Sequence, residues 1–276
     1  VTNLANTSTY LEGGLRTQGT QKQSTPEKSL ISVITVVFNG AETLRDTIES
    51  VAMQSYENVE HIVLDGGSTD GTVEILQNYN HQLAYWRSEK DGGIYDAMNK
   101  GIALATGEYI GMLNADDLFA DKDVLQNIVD KFQQTSADAV FSCLNIVAQH
   151  NLEKIIRKYR VAKLNSTLLR IGVMPAHPTF YCKKSCYKKA GVYKTDYKIA
   201  ADFEMLARLW LKQQISWAFL DKVTVTMRAG GVSTRGLKAS IKLNREIIRA
   251  CKENDLYSNF LFLFLKIPLR LFELIR

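Results

Sequence analysis

The stretch GEYIGMLNADDLF, residues 107–119, joins a strand-like apolar run, Tyr109 to Leu113, to Asn114, Ala115, Asp116 and Asp117. Two adjacent carboxylates repel each other, and hiding them costs several kcal/mol unless positive charge stands beside them. No Lys or Arg lies within three residues of the pair, so it reads as solvated or metal-bound. A hard divalent cation such as Mg²⁺ or Mn²⁺ takes one or two carboxylates together with phosphate oxygens. An acidic pair at a nucleotide crevice therefore bridges metal to a diphosphate, and that help grows as a diphosphate leaving group gains charge.

Other residues carry weaker signals. Asp65 precedes GGSTDGT, and Asp70 lies within it; short acidic side chains there also cap helices and bond their own backbone. Asp202, in AADFEMLARL, opens a helical pattern and reads from position alone as an N-cap or as a functional carboxylate. Glu204 reads as a dipole partner in the same turn. His177 lies in MPAHPTFYC, where a lone His beside prolines serves a loop as readily as an acceptor or a phosphate. Lys90 and Arg228 read as phosphate contacts or as solvated cations.

The elements that must position these residues follow one order. Leu30 to Phe38 is a β-branched run of strand length, followed by Asn39-Gly40 and a helical period at Leu44, Ile48, Val51 and Ala52. Val59–Leu64 repeats the strand, Asp65–Gly71 the turn, and Val73, Ile75 and Leu76 the helix. Ile94, Ala97, Met98, Gly101, Ile102 and Ala105 share one helical face and lead into the Tyr109 strand. A helix at Val124–Phe132 and a strand at Ala139–Cys143 follow, then peripheral strands within Ile146–Arg160. A helix at Ala201–Leu211, strands at Ile215–Leu220 and Val223–Arg228, and a helix at Leu237–Cys251 complete the pattern. Such alternation predicts an α/β fold with a mostly parallel, Rossmann-like sheet covered on both faces, whose ligands lie beyond the carboxyl ends of the strands.

The chain has 276 residues, 46% of them hydrophobic, and a formal charge of +5. That supports one large domain, or one domain with a small appendage, and partners that are anionic in general. Residues 1–29 are polar and aperiodic, and read as a disordered leader. Four cysteines, with only Cys182 and Cys186 close together, support neither a zinc site nor a disulfide framework. A reduced, cytosolic compartment follows. Basic patches without a matching aromatic motif argue against nucleic acid. The terminal FLFLFLKIPLRLFELIR is broken by Lys266, Pro268, Arg270 and Glu273, too early for a bilayer span of ~20 apolar residues. It reads as an interfacial helix at a membrane surface, or as a helix docked on the protein's own core or a second subunit.

ISVITVVFNG, VLDGGSTDGT, SEKDGGIYDAMNKGIALATGEYIGMLNADD and AADFEMLARL together resemble family 2 glycosyltransferases of the GT-A fold, bacterial polysaccharide enzymes in particular, over Ile31 to Leu211. The resemblance implies a GT-A domain over residues 30–236, its nucleotide-sugar half at about 30–120 and its acceptor half at about 121–236, with a helical segment at 237–276. It implies that Val36, Phe38, Asp65 and Asp96 hold the nucleotide. Asn114, Ala115 and Asp116 match the family's Asp-x-Asp element, with Asp116 as metal ligand and Asp117 in support. Asn114 departs from the commoner first Asp, which leaves the metal mainly to one carboxylate and phosphates; Met98 stands where many members have Arg. Asp202 matches the family's general base. Gly230-Gly231-Val232-Ser233 resembles an active-site loop, or is an ordinary strand-ending turn.

The implied reaction is inverting transfer of a sugar from a nucleoside-diphosphate donor, UDP-linked by expectation, to a hydroxyl of a glycan or lipid-linked acceptor. Mg²⁺ or Mn²⁺ assists it, at the cytoplasmic face of a membrane. The competing reading is a nucleotide-sugar-binding or membrane-scaffold protein without turnover, and oligomeric state stays open.

Overall fold

The computed structural model describes residues 10–230 and 236–265. Its strands are β1 (Leu11–Gly13), β2 (Ile31–Val37), β3 (Val59–Asp65), β4 (Tyr85–Ser88), β5 (Tyr109–Met112), β6 (Asp117–Phe119), β7 (Ala139–Ala148), β8 (Asn151–Tyr159), β9 (Tyr181–Lys183) and β10 (Trp217–Arg228). Its α-helices are α1 (Leu44–Ala52), α2 (Thr72–Asn78), α3 (Ile94–Leu104), α4 (Val124–Thr135), α5 (Ser166–Arg170), α6 (Lys184–Ala190), α7 (Ala201–Leu211), α8 (Gly236–Glu253) and α9 (Phe260–Phe264).

One sheet runs β1-β4-β3-β2-β5-β9-β7-β10-β6, with β8 paired to β7. Strands β4, β3, β2 and β5 are mutually parallel, as are β7 and β10. The parallel core predicted from the alternating pattern is present. What the pattern missed is β9, three residues long and antiparallel to both β5 and β7, which joins the two parallel sets. Its contact with β5 requires Gly111, where an added Cβ would meet the Tyr181 ring at 2.1 Å. Two strands expected at 215–228 are one, β10, whose register shifts twice against β7 between Phe219 and Val225.

Alternation along β2 explains the layers. Ile31 and Val33 pack with α1 and α4, whereas Ile34 and Val36 pack with α3, α7 and α8. The sheet therefore carries helices on both faces, and Met98 is a buried core side chain of α3.

Residues 11–18, expected within a disordered leader, are ordered instead. β1 pairs antiparallel with the edge strand β4, and a 3₁₀ turn follows at Leu15–Gln18. The anchor is Arg16, which forms an ion pair with the buried Glu60 and donates to Leu104 O at 2.8 Å. Glu60 also takes Ser32 Oγ at 2.5 Å, and Thr106 Oγ1 and the Thr106 amide at 2.6 Å each. Composition alone missed this because a single cation, not an apolar period, ties the segment down.

At the other end Leu263 of α9 is buried, while Phe260, Leu261, Phe264 and Leu265 are exposed. The rest of the expected interfacial segment, 266–276, lies outside the described residues. No helix among the described residues is long and apolar enough to cross a membrane.

Candidate active site

Parallel strands β2, β3, β4 and β5 end at one edge of the sheet, and the loops after them carry most of the candidate residues. The turns after β2 and β3 are laced together. Asn39, in the left-handed region at φ 50°, takes the Thr69 amide on Oδ1 at 3.0 Å. Its own amide donates to Ser68 Oγ at 2.7 Å, and the Ala41 amide to Asp70 Oδ2 at 3.0 Å. Asp70 is the turn residue that its position suggested. Asp65, buried at the end of β3, accepts Ser88 Oγ at 2.6 Å and the amides of Gly67 and Ser68 at 3.2 and 3.0 Å, as well as Ser68 Oγ. Its carboxylate builds this loop first.

Phe38 is 66% exposed at the end of β2 and borders Gly66, an open aromatic face for a planar base. The side chains of Val36 and Ala115 are buried in core clusters, so a ligand there would meet their backbone. Asp96, in the first turn of α3, takes the Gly92 amide at 3.0 Å and pairs with Lys100 at 3.2 Å. Those two contacts hold its carboxyl below the ordinary range.

The acidic loop follows β5. Asp117 is buried as the first residue of β6, and Asn114 Nδ2 donates to its Oδ2 at 3.0 Å. Desolvation, then the charge of Asp116, pushes the Asp117 carboxyl well up; the Asn114 amide and Arg228 oppose the shift. Arg228 is the cation absent from the local sequence. It is buried at the end of β10, donates to Asp116 O at 2.9 Å and pairs with Asp46 at 2.5 Å. Its guanidinium is engaged by protein groups rather than solvated. It also lines an open cavity of about 370 Å³ with Glu42, Thr43, Asp46, Gln149, His150 and Leu152.

Asn114 Oδ1 and Asp117 Oδ1 are buried without a hydrogen-bond partner. With the neighbouring Asp116 carboxylate they form an all-oxygen donor set, which suits a hard cation. Among the described residues no three His, Cys, Asp or Glu side chains cluster as a closed metal cage. A cation here would complete its shell with phosphate oxygens and water.

The third constellation surrounds Asp202. α7 starts at Ala201, and Asp202 Oδ1 accepts the adjacent Phe203 amide at 2.8 Å. Burial raises its carboxyl to about 6, against the pull of the Phe203 amide and its own amide, with the Glu246 charge adding to the rise. Tyr95, on the first turn of α3 next to Asp96, stands beside Asp202, its hydroxyl near the Ala201 and Asp202 amides. Tyr95 stacks on Tyr193 at 5.9 Å between centroids, and Tyr193 Oη meets His177 Nε2 at 2.8 Å. Burial lowers His177 to about 4, so it stays neutral at pH 7 and fixes Tyr193. Glu204 is fully buried between Lys194 and Arg208, each at 2.9 Å, which makes it structural.

The start of α3 thus brings Asp96 and, through Tyr95, Asp202 to the strand-end edge that also bears Asp65 and Asp116. Tyr95, Tyr193 and Glu246 were not singled out from the sequence. Tyr95 had a signal, its place inside GGIYDAMNKG; Glu246 had none, being one charge on a long amphipathic helix.

Residues 32–192 match the family model described as Glycosyl transferase family 2. An uncharacterised glycosyltransferase of Mycobacterium tuberculosis is 35% identical over 186 residues, 64% of this chain and 68% of the relative. A PGL/p-HBAD biosynthesis glycosyltransferase of Mycobacterium bovis is 27% identical over 210 residues, 74% and 79% of the two chains. Among solved structures, S. aureus TarS 1-349 in complex with UDP-GlcNAc superposes with a TM-score of 0.64 at 20% identity, over 82% of this chain and 68% of that one. The mannosyltransferase PcManGT from Pyrobaculum calidifontis, in complex with GDP-Man and Mn²⁺, gives a TM-score of 0.63 at 19% identity over 89% and 70%. The fold is shared with these two glycosyltransferases, as the GT-A resemblance implied.

Proposed function

Because the chain belongs to glycosyl transferase family 2, and is thereby a transferase, we propose that it moves a sugar, with inversion, from a nucleoside-diphosphate donor to a hydroxyl of a glycan or lipid-linked acceptor. Asp202 is the general base. The observation that carries this reading is the Asp202 carboxyl, raised by burial to about 6 beside Tyr95 at the ligand-binding edge of the sheet. A base at that value is ionised at pH 7 and still takes a proton readily.

Phe38 offers a stacking face to the base of the nucleotide, and Asp65 and Asp96 line the strand ends where its ribose would lie. The UDP donor remains the preferred candidate; two fold neighbours, bound to UDP-GlcNAc and to GDP-Man with Mn²⁺, support the nucleotide-sugar class and a metal. Asp116, with Asn114 Oδ1 and Asp117 Oδ1, would hold Mg²⁺ or Mn²⁺, which when bound neutralises charge gathering on the departing diphosphate. Arg228 keeps the acidic loop in place through the Asp116 carbonyl. Asp202 removes the acceptor hydroxyl proton as that oxygen attacks the anomeric carbon from the face opposite the diphosphate. One carboxylate suffices for such a single displacement.

The exposed Phe260, Leu261, Phe264 and Leu265 of α9, with the basic residues that follow in sequence, support attachment at the cytoplasmic membrane surface, where a lipid-linked acceptor would be met. The deciding experiment incubates the protein with a panel of nucleotide sugars, Mn²⁺ and a lipid-extract acceptor, and measures which nucleoside diphosphate appears. Release from one donor, abolished in Asp202→Asn with donor binding intact, is the expected result. Donor binding with no release from any donor would make it a binding protein instead.

A further inference from the structure

Helix α7 has an N-terminus that its own sequence cannot finish. Ala200 holds the N-cap position and has no side-chain acceptor, so the amides around it need partners from elsewhere. Glu246 of α8 supplies them. Its Oε2 accepts the Ala200 amide at 2.9 Å and the Ile199 amide at 2.8 Å, and both carboxylate oxygens approach the Lys198 amide, at 3.0 and 3.2 Å. The Tyr95 hydroxyl lies near the next amides, those of Ala201 and Asp202. The amides leading into the helix are thus closed from outside by Glu246 of another helix.

Aspartate is among the best N-capping residues, and Asp202 is two positions inside this helix. With the amides open, its carboxylate would be drawn back onto them and away from an incoming hydroxyl. With Glu246 on them, it keeps the neighbouring Phe203 amide.

We propose that Glu246 is the positioning residue of the base: its carboxylate caps α7 from outside and so releases Asp202 from capping. The inference rests on the reading of Asp202 as the base. α3 contributes Tyr95 and the segment before α7 contributes Tyr193, while α8 contributes Glu246. Lys194 and Arg208 are held by Glu204, and Arg249 by Asp196 and Glu253. Glu246 also places negative charge near Asp202, which favours the protonated carboxyl.

The test uses Glu246→Gln, which keeps an acceptor oxygen and loses the charge, and Glu246→Ala, which loses both. Carboxyl-carbon NMR of ¹³C-labelled aspartate follows Asp202 without any substrate, its signal identified by its loss in Asp202→Asn. The expected titration midpoint moves to lower pH in both variants, further in Ala. In turnover, using the donor and lipid extract that release a nucleoside diphosphate, the acid limb of the pH profile moves the same way. The Ala variant loses roughly tenfold to a hundredfold in kcat at unchanged donor KM, as misplacement of a reacting group predicts. Midpoints identical to the parent in both variants overturn the proposal, and so does an Ala variant with full kcat. If Asp202→Asn itself turns over normally, the base reading fails on that separate result, whatever the NMR midpoints show.

Discussion

Asp65 and Asp202 occupy the same edge of the sheet in opposite surroundings. Asp65 receives two hydroxyls and two amides from its surroundings, whereas the Asp202 carboxyl has only amides of its own helix turn, those of Phe203 and of Asp202 itself, among the described residues. A carboxylate surrounded by donors is locked as architecture; one that burial isolates while others take over nearby amides stays basic and addressable. The difference lies in how many donors the fold spends on each.

The strongest way to break this contrast is Asp202→Asn, which should lower kcat by about 10²- to 10⁴-fold with donor affinity retained by calorimetry. A donor-binding defect of similar size would place Asp202 with Asp65 instead. Asp116→Ala comes next. It should cost about 10²-fold or more in nucleoside-diphosphate release and abolish Mn²⁺-dependent tightening of nucleotide binding, with secondary structure by circular dichroism unchanged. A third effect is pH dependence. Because the folded-state value of Asp202 is raised from 3.8 to about 6, the base is protonated below that value. Accordingly kcat/KM should rise with pH through about 6 and be about tenfold lower at pH 5 than on its plateau. Its stability contribution runs the other way, favourable at low pH and lost as pH rises from 3.8 through about 6.

The mildest effect on catalysis belongs to a residue far from that edge. Arg16→Ala should leave kcat near its parent value yet lower unfolding free energy by about 3 kcal/mol, because it strands the buried Glu60. Despite desolvation, bonds from Ser32 and Thr106 and the charge of Arg16 hold Glu60 below its ordinary 4.5. That stabilisation is present above 4.5 and is lost as pH falls through the lower folded value, so the deficit of the variant should shrink in acid, as urea melts across pH would show.

The parallel core was legible because period and chain order carry it: β2 to β5 and their helices came from apolar runs and turn residues. Asp116 and Asp202 were legible through motifs. Less visible were features built by distant residues. Arg228 reaches the acidic loop from β10, Glu246 reaches α7 from a later helix, and Arg16 turns a polar leader into an edge strand. Each is a single charge whose partner sits far along the chain, and no local pattern encodes such a meeting. Val36 and Ala115 show the converse, since residues at motif positions can have side chains that fill the core.

The three-residue seam β9 has a consequence for assembly. It is the shared border of two parallel blocks, and its partners in β5 and β7 are both synthesised before it. The first block, β2 to β5, can therefore gather its strands early, while its union with β7 waits for Tyr181 to settle over Gly111. Closing such distant chain segments is the slow kind of step in β-sheet folding. A methyl group added at Gly111 should stall that union and leave two half-sheets to find other edges.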